Sequence, residues 1–429
     1  MVTVLTTQYT ERLQYILTEL LGNRLGIRYA VTTNIDDFNA TTGVKINYTS
    51  IQQENSLQII PIDLLFENYI QKQKLDVTND ETWHTILWPN KNGLIPFDVF
   101  AASFYLLSRY EEYEDAKRDH HGRFEAKNSI AFNHDFLQFP LVDHWCEVLK
   151  KELKAINPNI EFKQHQFNAI TTVDIDFAYL YHGLDTKRWL GKIIKSALSF
   201  DLNEILIQIK STLDAKYDPY NTYQFIRKSI RGKLGYFILM SNKGGYDKNI
   251  RINGKAFKTL LQELRNNSDF IGLHPSYASN QNFKMLLEEK GKLSNIITHK
   301  IDCSRQHFLK LTLPQTYRNL IDANITEDYT MAYAEQIGFR ASTCMPYHFF
   351  DLQLNQSTKL VCYPTCFMDT TAIQYLKYSA HQMEEINKKL LNTTKNYNGL
   401  YVTLWHNSTF VSPHVKRTFC NLLEKIEFN

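Results

Sequence analysis

The sequence predicts an α/β protein in which a small α/β module precedes a larger part built on a parallel sheet or barrel. Its 429 residues are enough for two domains with a substantial core. From residue 168 onward, β-prone runs alternate with helical patterns, which is typical of parallel strands joined by helices. Several of these runs end in an acid, an arginine or a histidine. Active sites of such folds collect at the carboxyl ends of the strands, so we expect a shared site there.

The composition is that of an ordinary globular protein, with 43% hydrophobic and 22% charged residues. A net charge of +3 on 48 basic and 45 acidic residues gives no reason to expect nucleic acid as a partner. The first residues lack the basic and apolar regions of a secretory signal, and no apolar run is long enough to span a membrane. The six cysteines show no zinc-type pair. These features favour reduced thiols and a cytoplasmic location.

The start of the chain predicts one helix followed by three short strands. Residues 9–21 carry apolar side chains at helical spacing, and Gly22 is placed to end that helix. Strand-like segments follow at residues 28–32, 44–48 and 57–60. This opening module shows no obvious chemistry of its own.

The segment Phe97–Tyr113 predicts a second helix, with Asp98 as its N-cap. Near its end, Arg109, Glu111 and Glu112 form a charged cluster. Such a cluster could belong to a site, but a buried or interfacial ion network is the favoured interpretation.

The segment Asp119–Phe124 is polar and contains a glycine, so it predicts a loop. Its adjacent histidines, His120 and His121, should point to different sides, which suits a metal poorly. A helical pattern over residues 141–156 then ends at an Asn-Pro pair, where we place a domain boundary.

The pair Asp174 and Asp176 follows the β-prone run Ala169–Val173. Residues two apart on a strand point the same way, so both carboxylates should share one site. Two like charges that close cost energy unless a metal or a proton neutralises one of them. A solvated turn or a helix N-cap is the alternative interpretation.

Two further β-prone runs each deliver one histidine. Residues 270–273 lead into His274, and residues 401–405 lead into His406. A lone histidine is usually structural, but a position at an equivalent strand end favours a place in the site.

A second candidate pair, Arg305 and His307, follows a strand-like segment at residues 293–298. The two residues are two apart and should share a face. A carboxylate with one or two imidazoles can hold Zn²⁺ or a similar divalent ion and leave room for water. A second carboxylate could then act as general base, a separate histidine could protonate a leaving amine, and an arginine could orient the base.

Residues 189 to about 234 carry a helical pattern rich in lysine and arginine, and Trp189–Phe200 predicts a basic amphipathic helix. Such a helix could lie on an anionic membrane surface, so peripheral membrane contact through residues 189–200 is one expectation. A surface helix packed on its own domain is the alternative. A buried strand is expected at residues 236–240 and a helix at 256–266.

The order of these motifs resembles the polysaccharide deacetylase superfamily, also called the NodB homology or carbohydrate esterase 4 group. It is most similar to a bacterial branch in which a small domain of unknown function precedes the deacetylase domain. The segments Phe97–Tyr113 and Asp119–Phe124 look like that first domain and its junction. The resemblance implies a distorted, incomplete (β/α) barrel. The expected parts are an α/β domain at 1–125, a helical connection at 126–164, and a barrel at 165–429 with a helical insertion at about 186–232.

The resemblance also implies roles for the candidate residues. The run Thr172–Asp176 resembles the first motif of the family, which would make Asp174 the catalytic base and Asp176 a metal ligand. The run Gly272–Ser276 resembles the second motif, with His274 as a metal ligand.

The other two motifs would supply the remaining catalytic groups. Arg305–Phe308 stands where the family has an Arg-x-Pro-aromatic motif, whose arginine orients the base and whose backbone helps to bind the oxyanion. Leu404–Asn407 resembles the last motif, with His406 as the general acid.

One departure from the family concerns the metal ligands. The second motif usually supplies two histidines four residues apart, but Ala278 stands four residues after His274 and cannot bind a metal. Three alternatives remain. His307, which replaces the proline of the family, completes the site; or the metal is held by fewer protein ligands; or metal binding is lost.

The candidate residues predict hydrolysis of an amide through a metal-bound water, and the resemblance implies that this metal-dependent hydrolase removes an N-acetyl or other N-acyl group from a sugar. Zn²⁺ is the expected metal, with Co²⁺, Ni²⁺ and Mn²⁺ as alternatives. The expected substrate is a cytoplasmic glycan precursor, lipid- or nucleotide-linked, and a lipid-linked one would suit the inner face of a membrane. A D-x-D glycosyltransferase, with Asp174 and Asp176 holding a metal and a sugar nucleotide, and a catalytically silent carbohydrate-binding or scaffold protein are the competing interpretations.

Overall fold

The computed structural model describes residues 1–90, 93–114, 117–241 and 244–426. The fold is α/β, as predicted, and contains a small parallel sheet followed by a large open one. Apolar side chains from both sheets join in one continuous core, which includes Val2 and Val4 of the first sheet and Val173 and Ile175 of the second. The division of the chain near residues 125 and 164 stays a prediction.

The small sheet has the order β2-β1-β3-β4, and all its pairs are parallel. Its strands are β1 (Val2–Thr6), β2 (Tyr29–Thr32), β3 (Val44–Tyr48) and β4 (Leu57–Gln58). The accompanying helices are α1 (Glu11–Leu17), which continues as a π-helix over Thr18–Arg24, and α2 (Ile35–Ala40). The predicted end of the first helix at Gly22 is wrong, because the chain stays helical to Arg24 and Gly26, with φ 67°, takes the left-handed position.

An antiparallel hairpin and several helices lie between the two sheets in the described chain. They are β5 (Val77–Asp80), β6 (His84–Leu87), α3 (Val99–Leu107), α4 (Ile130–Asn133) and α5 (Leu141–Ile156). The predicted N-cap is confirmed, since the Asp98 carboxylate accepts hydrogen bonds from the backbone N–H groups of Phe100 and Ala101. The helix ends at Leu107 instead of Tyr113, because Arg109 adopts a left-handed conformation, with φ 55°.

In the part of the chain that the structure describes, the large sheet has nine strands in the order β12-β13-β11-β10-β9-β8-β7-β15-β14, and of these only β12, at one edge, is antiparallel to its neighbour. Within the described residues β12 and β14 form opposite edges and do not pair with each other, so the sheet is open, which is consistent with the predicted incomplete barrel. The strands are β7 (Asn168–Ile175), β8 (Lys233–Leu239), β9 (Phe270–His274), β10 (Cys303–Ser304), β11 (Glu327–Asp328), β12 (Tyr347–Asp351), β13 (Gln356–Cys362), β14 (Phe367–Met368) and β15 (Leu400–His406).

Helices follow most strands of the large sheet, as the alternating pattern predicts, although β11, β12 and β13 succeed one another directly among the described residues. The helices are α6 (Thr186–Leu198), α7 (Leu202–Leu213), α8 (Tyr223–Ser229), α9 (Lys255–Asn266), α10 (Phe283–Ile297), α11 (Gln315–Asp322), α12 (Ala380–Asn396) and α13 (Pro413–Lys425). Among the described residues, no helix has the length and apolar character needed to cross a membrane.

The strand predicted at residues 293–298 is wrong, because this segment is the last part of α10. Its apolar residues Leu293 and Ile297 continue a buried helical face that begins with Leu286 and Glu289. The strand that precedes Arg305 is instead β10, which has two residues.

The prediction for the Asp119–Phe124 segment is half right. It forms a loop, but its two histidines do not point to different sides, since the ring centroids of His120 and His121 are 3.8 Å apart. His121 instead contacts Tyr277 and Phe308 of the large-sheet part.

The predicted ion network around Arg109 is confirmed and links the two parts of the chain. The Arg109 guanidinium donates to Glu111 at 2.7 Å and to Glu112 at 2.8 Å, while Arg340 donates to both oxygens of Glu112 at 2.9 and 2.6 Å. Arg109, Glu112 and Arg340 are buried. Burial would raise the pKa of Glu112, but Arg340 and Arg109 outweigh burial and lower it to about 2.

Replacing Glu112 with Gln should strongly destabilise the fold, because two buried guanidinium groups would lose their shared carboxylate. We expect the free energy of unfolding in denaturant to fall by about 3–5 kcal/mol. Because the folded state lowers this pKa, the contribution of Glu112 should be present above the ordinary glutamate pKa and be lost as the pH falls toward 2. The control is Glu125→Gln, whose partner Lys127 is exposed, and it should cost less than about 1 kcal/mol. An equal cost for the two variants would contradict this prediction.

Candidate active site

Asp174 and Asp176 lie at the carboxyl end of β7, which runs between β8 and β15 in the large sheet. The run Ala169–Val173 is buried, as expected for a strand covered on both faces. Both carboxylates point to one site, as predicted. His274 Nε2 at the end of β9 is 3.7 Å from Asp174 Oδ2 and 3.2 Å from Asp176 Oδ1.

Asp174 forms an ion pair with Arg305, which is buried beneath the other site residues. The Arg305 guanidinium donates to Asp174 Oδ1 at 2.9 Å, to Thr172 Oγ1 at 2.7 Å and to the carbonyl of Tyr329 at 3.0 Å. The guanidinium also lies 4.6 Å from the ring centroid of Phe237. Arg305 is fully buried, so these contacts fix its position and supply a positive charge beside Asp174.

Asp176, His274 and His307 form a cluster that fits a metal ion. One possible ligand atom from each lies within 4.8 Å of the others, and His307 Nε2 is 3.7 Å from Asp176 Oδ1. Asp176 Oδ1 is buried and accepts no well-aligned hydrogen bond among the described residues, although His274 Nε2 lies 3.2 Å away. A buried carboxylate oxygen needs a positive partner, and a cation at this point would supply one.

The cluster centres on an ionised carboxylate that attracts positive charge. Burial alone would raise the pKa of Asp176, but His307, His274 and His406 hold it well below its usual range. Burial would likewise lower the pKa of His307, yet Asp176 and Asp247 raise it to about 9. The carboxylate therefore stays ionised. A bound divalent cation would favour neutral imidazoles, because it supplies the positive charge itself.

Both histidines of the cluster turn Nε2 toward Asp176 because Nδ1 is already engaged. His274 Nδ1 donates to the carbonyl of Arg305 at 2.6 Å, and His307 Nδ1 lies 2.9 Å from Asp247 Oδ1. Asp247 is buried and also accepts a hydrogen bond from the backbone N–H of Tyr277. A carboxylate behind the imidazole is the usual support of a metal-binding histidine.

His406 reaches the site from the end of β15, where its backbone is in register with Asp174. Its Nδ1 lies 2.7 Å from Asp369 Oδ1, and its Nε2 faces Asp176 Oδ2 at 3.7 Å. Burial would lower the pKa of His406, but Asp369 first, and then Asp176 and Asp174, raise it to about 10. In this charge environment His406 carries a proton at neutral pH.

The structure thus brings all six predicted site residues together at the carboxyl ends of three strands and the turn after β10. Ala278 is exposed and lines a separate cavity, so it takes no part. The position of His307 beside Asp176 is the arrangement that the first of the three alternatives for the ligand set requires.

Two residues of the site are missing from the sequence prediction. Asp369 directly follows β14, but that strand has only two residues and gives too short a β-prone run to signal an acid at its end. Asp247 lies in the polar segment between β8 and α9, where no periodicity distinguishes it from the other polar residues.

A pocket of about 380 Å³ opens above these residues. Its outer wall includes the aromatic side chains of Phe177, Tyr246, Phe308 and Tyr375. Arg123, from the Asp119–Phe124 loop, also lines it and donates to the carbonyl of Phe308 at 2.8 Å. The segment that precedes the large sheet therefore contributes to the pocket.

Comparison with known families gives one match. Residues 2–158 match the model of a family of unknown function, DUF7033, and this range contains the small sheet and α5. The large sheet and all six candidate residues lie outside it. No curated protein matches the chain.

The solved structures that are similar to the chain include the following two, both at low identity. One is a candidate polysaccharide deacetylase from Mycobacterium smegmatis, with 13% identity and a TM-score of 0.40, over 62% of this chain and 86% of that one. The other is Puue allantoinase, with 10% identity and a TM-score of 0.38, over 61% of this chain and 84% of that one.

Proposed function

We propose that this protein is a metal-dependent amide hydrolase, a deacetylase that removes an N-acetyl or other N-acyl group from a sugar or glycan precursor. One observation carries the proposal. Possible ligand atoms of Asp176, His274 and His307 converge within 4.8 Å, beside the Asp174–Arg305 ion pair and under an open pocket.

Asp176, His274 and His307 would hold the ion, most suitably Zn²⁺, since one carboxylate and two imidazoles form a common three-ligand set for it. When bound, such an ion polarises the substrate carbonyl and makes water a stronger nucleophile. His307 would supply the ligand that Ala278 cannot.

Asp174 would act as the general base in this proposal. Arg305 holds its Oδ1, while Oδ2 faces the site, so the carboxylate is oriented to accept the proton of the attacking water. Thr172 and Tyr329 keep Arg305 in place, so the base does not have to be reoriented during the reaction.

His406 would act as the general acid. Asp369 holds Nδ1, so that Nε2 is the atom that faces the pocket. The pKa near 10 keeps its proton available at neutral pH, and a cation on Asp176 would bring that pKa closer to neutrality. As the carbon–nitrogen bond breaks, the leaving amine takes this proton and the acyl group departs as a carboxylate.

The pocket wall supports a sugar as the carrier of the acyl group. Tyr246 is half exposed and packs against Tyr277 with ring centroids 4.3 Å apart, which presents a firm aromatic surface at the pocket. Aromatic rings suit the apolar faces of pyranose rings, and the polar groups below them suit an amide.

The test is release of acetate from N-acetylated sugars, oligosaccharides, nucleotide sugars and lipid-linked sugars by the purified protein. We expect at least one class to be hydrolysed, a strong chelator to stop the reaction, and added Zn²⁺ or Co²⁺ to restore it. Acetate release that is not reduced by the chelator would contradict the metal mechanism. Glycan binding without any hydrolysis would favour the catalytically silent interpretation, and binding of sugar nucleotides with glycosyl transfer would favour the D-x-D one.

A further inference from the structure

The helical hairpin formed by α6 and α7 exposes an unusual amount of apolar surface. On α6, Leu190, Ile194 and Leu198 are exposed, and their spacing of four residues places them on one face. Leu198 alone is 76% exposed. A face of this kind is normally buried, so its exposure calls for a partner.

The second helix repeats the pattern. Leu202, Leu206, Ile209 and Leu213 are all exposed and recur at intervals of four, three and four residues, which again defines one face. Phe200, in the turn between the helices, is 89% exposed.

Both apolar faces lie on the outer side of the hairpin. The helices contact each other through other positions, where Trp189 donates from Nε1 to Thr212 and Gln208 donates to the carbonyl of Trp189. Arg188 attaches the hairpin to the body by donating to the carbonyls of Lys248 and Asn249. On a helical wheel these positions are displaced from the two leucine-rich faces, which therefore form one outward surface.

The charge around this surface identifies the kind of partner. Residues 186–213 hold more basic than acidic side chains, namely Lys187, Arg188, Lys192, Lys195 and Lys210 against Asp201 and Glu204. Lys187 and Lys195 are exposed and border the apolar face of α6. A second copy of this chain would bring these like charges together, whereas anionic lipid headgroups would neutralise them.

We propose that the α6–α7 hairpin docks on an anionic membrane surface, with Leu198, Phe200 and Leu202 entering the interface first. An apolar face bordered by lysines is the arrangement of helices that lie in the plane of a bilayer. Because Arg188 holds the carbonyl of Lys248, which lines the candidate pocket, docking would keep the pocket near the lipid. That consequence for a lipid-linked substrate rests on the proposed function, whereas the docking itself does not.

The experiment is flotation of the full-length protein with vesicles, which needs no catalytic activity. We expect binding to vesicles of phosphatidylcholine mixed with phosphatidylglycerol, weaker binding to phosphatidylcholine alone, and weakening by salt. Equal binding to the two kinds of vesicle, or binding to neither, would overturn the proposal.

Matched pairs of variants locate the surface. Leu198→Ser with Leu206→Ser, and separately Lys187→Glu with Lys195→Glu, should each weaken binding on the order of tenfold or more. The controls are exposed residues of the same type elsewhere, Ile51→Ser with Leu354→Ser and Lys258→Glu with Lys388→Glu. Equal losses in test and control variants would overturn the proposal. Self-association that depends on Leu198 and Leu206, without vesicle binding, would assign the surface to a second copy instead.

Discussion

If His307 ligates the ion as proposed, replacing it with Ala will weaken the affinity for a divalent ion by more than the roughly 10–100-fold typical of an outer-shell change, because the proposed three-residue ligand set loses one member. The measurement is competition for Zn²⁺ against a chromophoric chelator, which does not depend on turnover. The reason lies in the geometry, since His307 Nε2 is one of three possible ligand atoms and Asp247 holds its ring from behind.

Two comparisons make this result specific. His299→Ala removes an exposed imidazole outside the pocket and should leave the Zn²⁺ affinity unchanged. Adding Ala278→His to the His307→Ala variant restores the family spacing of two histidines four apart. That addition should not rescue binding, because residue 278 is exposed and lines a different cavity. Unchanged affinity in the His307→Ala variant would instead mean that fewer protein ligands hold the ion.

Asp247, which contacts His307 from outside the cluster, should contribute less to the Zn²⁺ affinity than His307 does. Asp247→Asn keeps an acceptor for His307 Nδ1 but removes the negative charge, so its loss of affinity should lie within the 10–100-fold range. A loss of Zn²⁺ affinity as large as that of His307→Ala would contradict the view that Asp247 acts only by orienting His307.

The sequence was sufficient to predict the strand-end residues, because their placement follows from short stretches of neighbouring residues. A β-prone run fixes the direction of the side chains that follow it, and parallel strands bring their carboxyl ends to one edge. Asp174, Asp176, His274 and His406 all follow such runs, and all four lie in the site.

The errors arise where the local pattern is short or ambiguous. α10 ends in Ile296 and Ile297 and is followed by Thr298. All three residues are β-branched, so they resemble a strand unless the buried helical face that precedes them is considered. The true strand, β10, has only two residues and gives no periodic signal. Asp247 meets His307 across 60 residues of chain, and a contact over that distance depends on the packing of the whole sheet.

Replacing Asp174 with Asn should lower the rate of acyl hydrolysis by about 10²–10⁴-fold, the usual contribution of a general base, and leave the affinity for Zn²⁺ nearly unchanged. The combination of a large loss of rate with retained metal is the informative result. If Asp174 were a ligand, as the short distance to His274 would also allow, both quantities would fall together.

The Asn variant leaves Arg305 buried without its opposite charge, so thermal unfolding has to be measured alongside the rate.

His406→Gln gives an independent check on the same chemistry, because the proposed acid lies on another strand and is not paired with Arg305. An acid must hold its proton, so activity of the unchanged protein should fall as the pH rises through the pKa of His406. In the Gln variant the rate should be low and that fall should disappear, while Zn²⁺ affinity stays close to normal. If the activity of the Gln variant still declined at high pH, the proton for the leaving amine would come from a different group. His406 and its partner Asp369 would then have no part in the reaction.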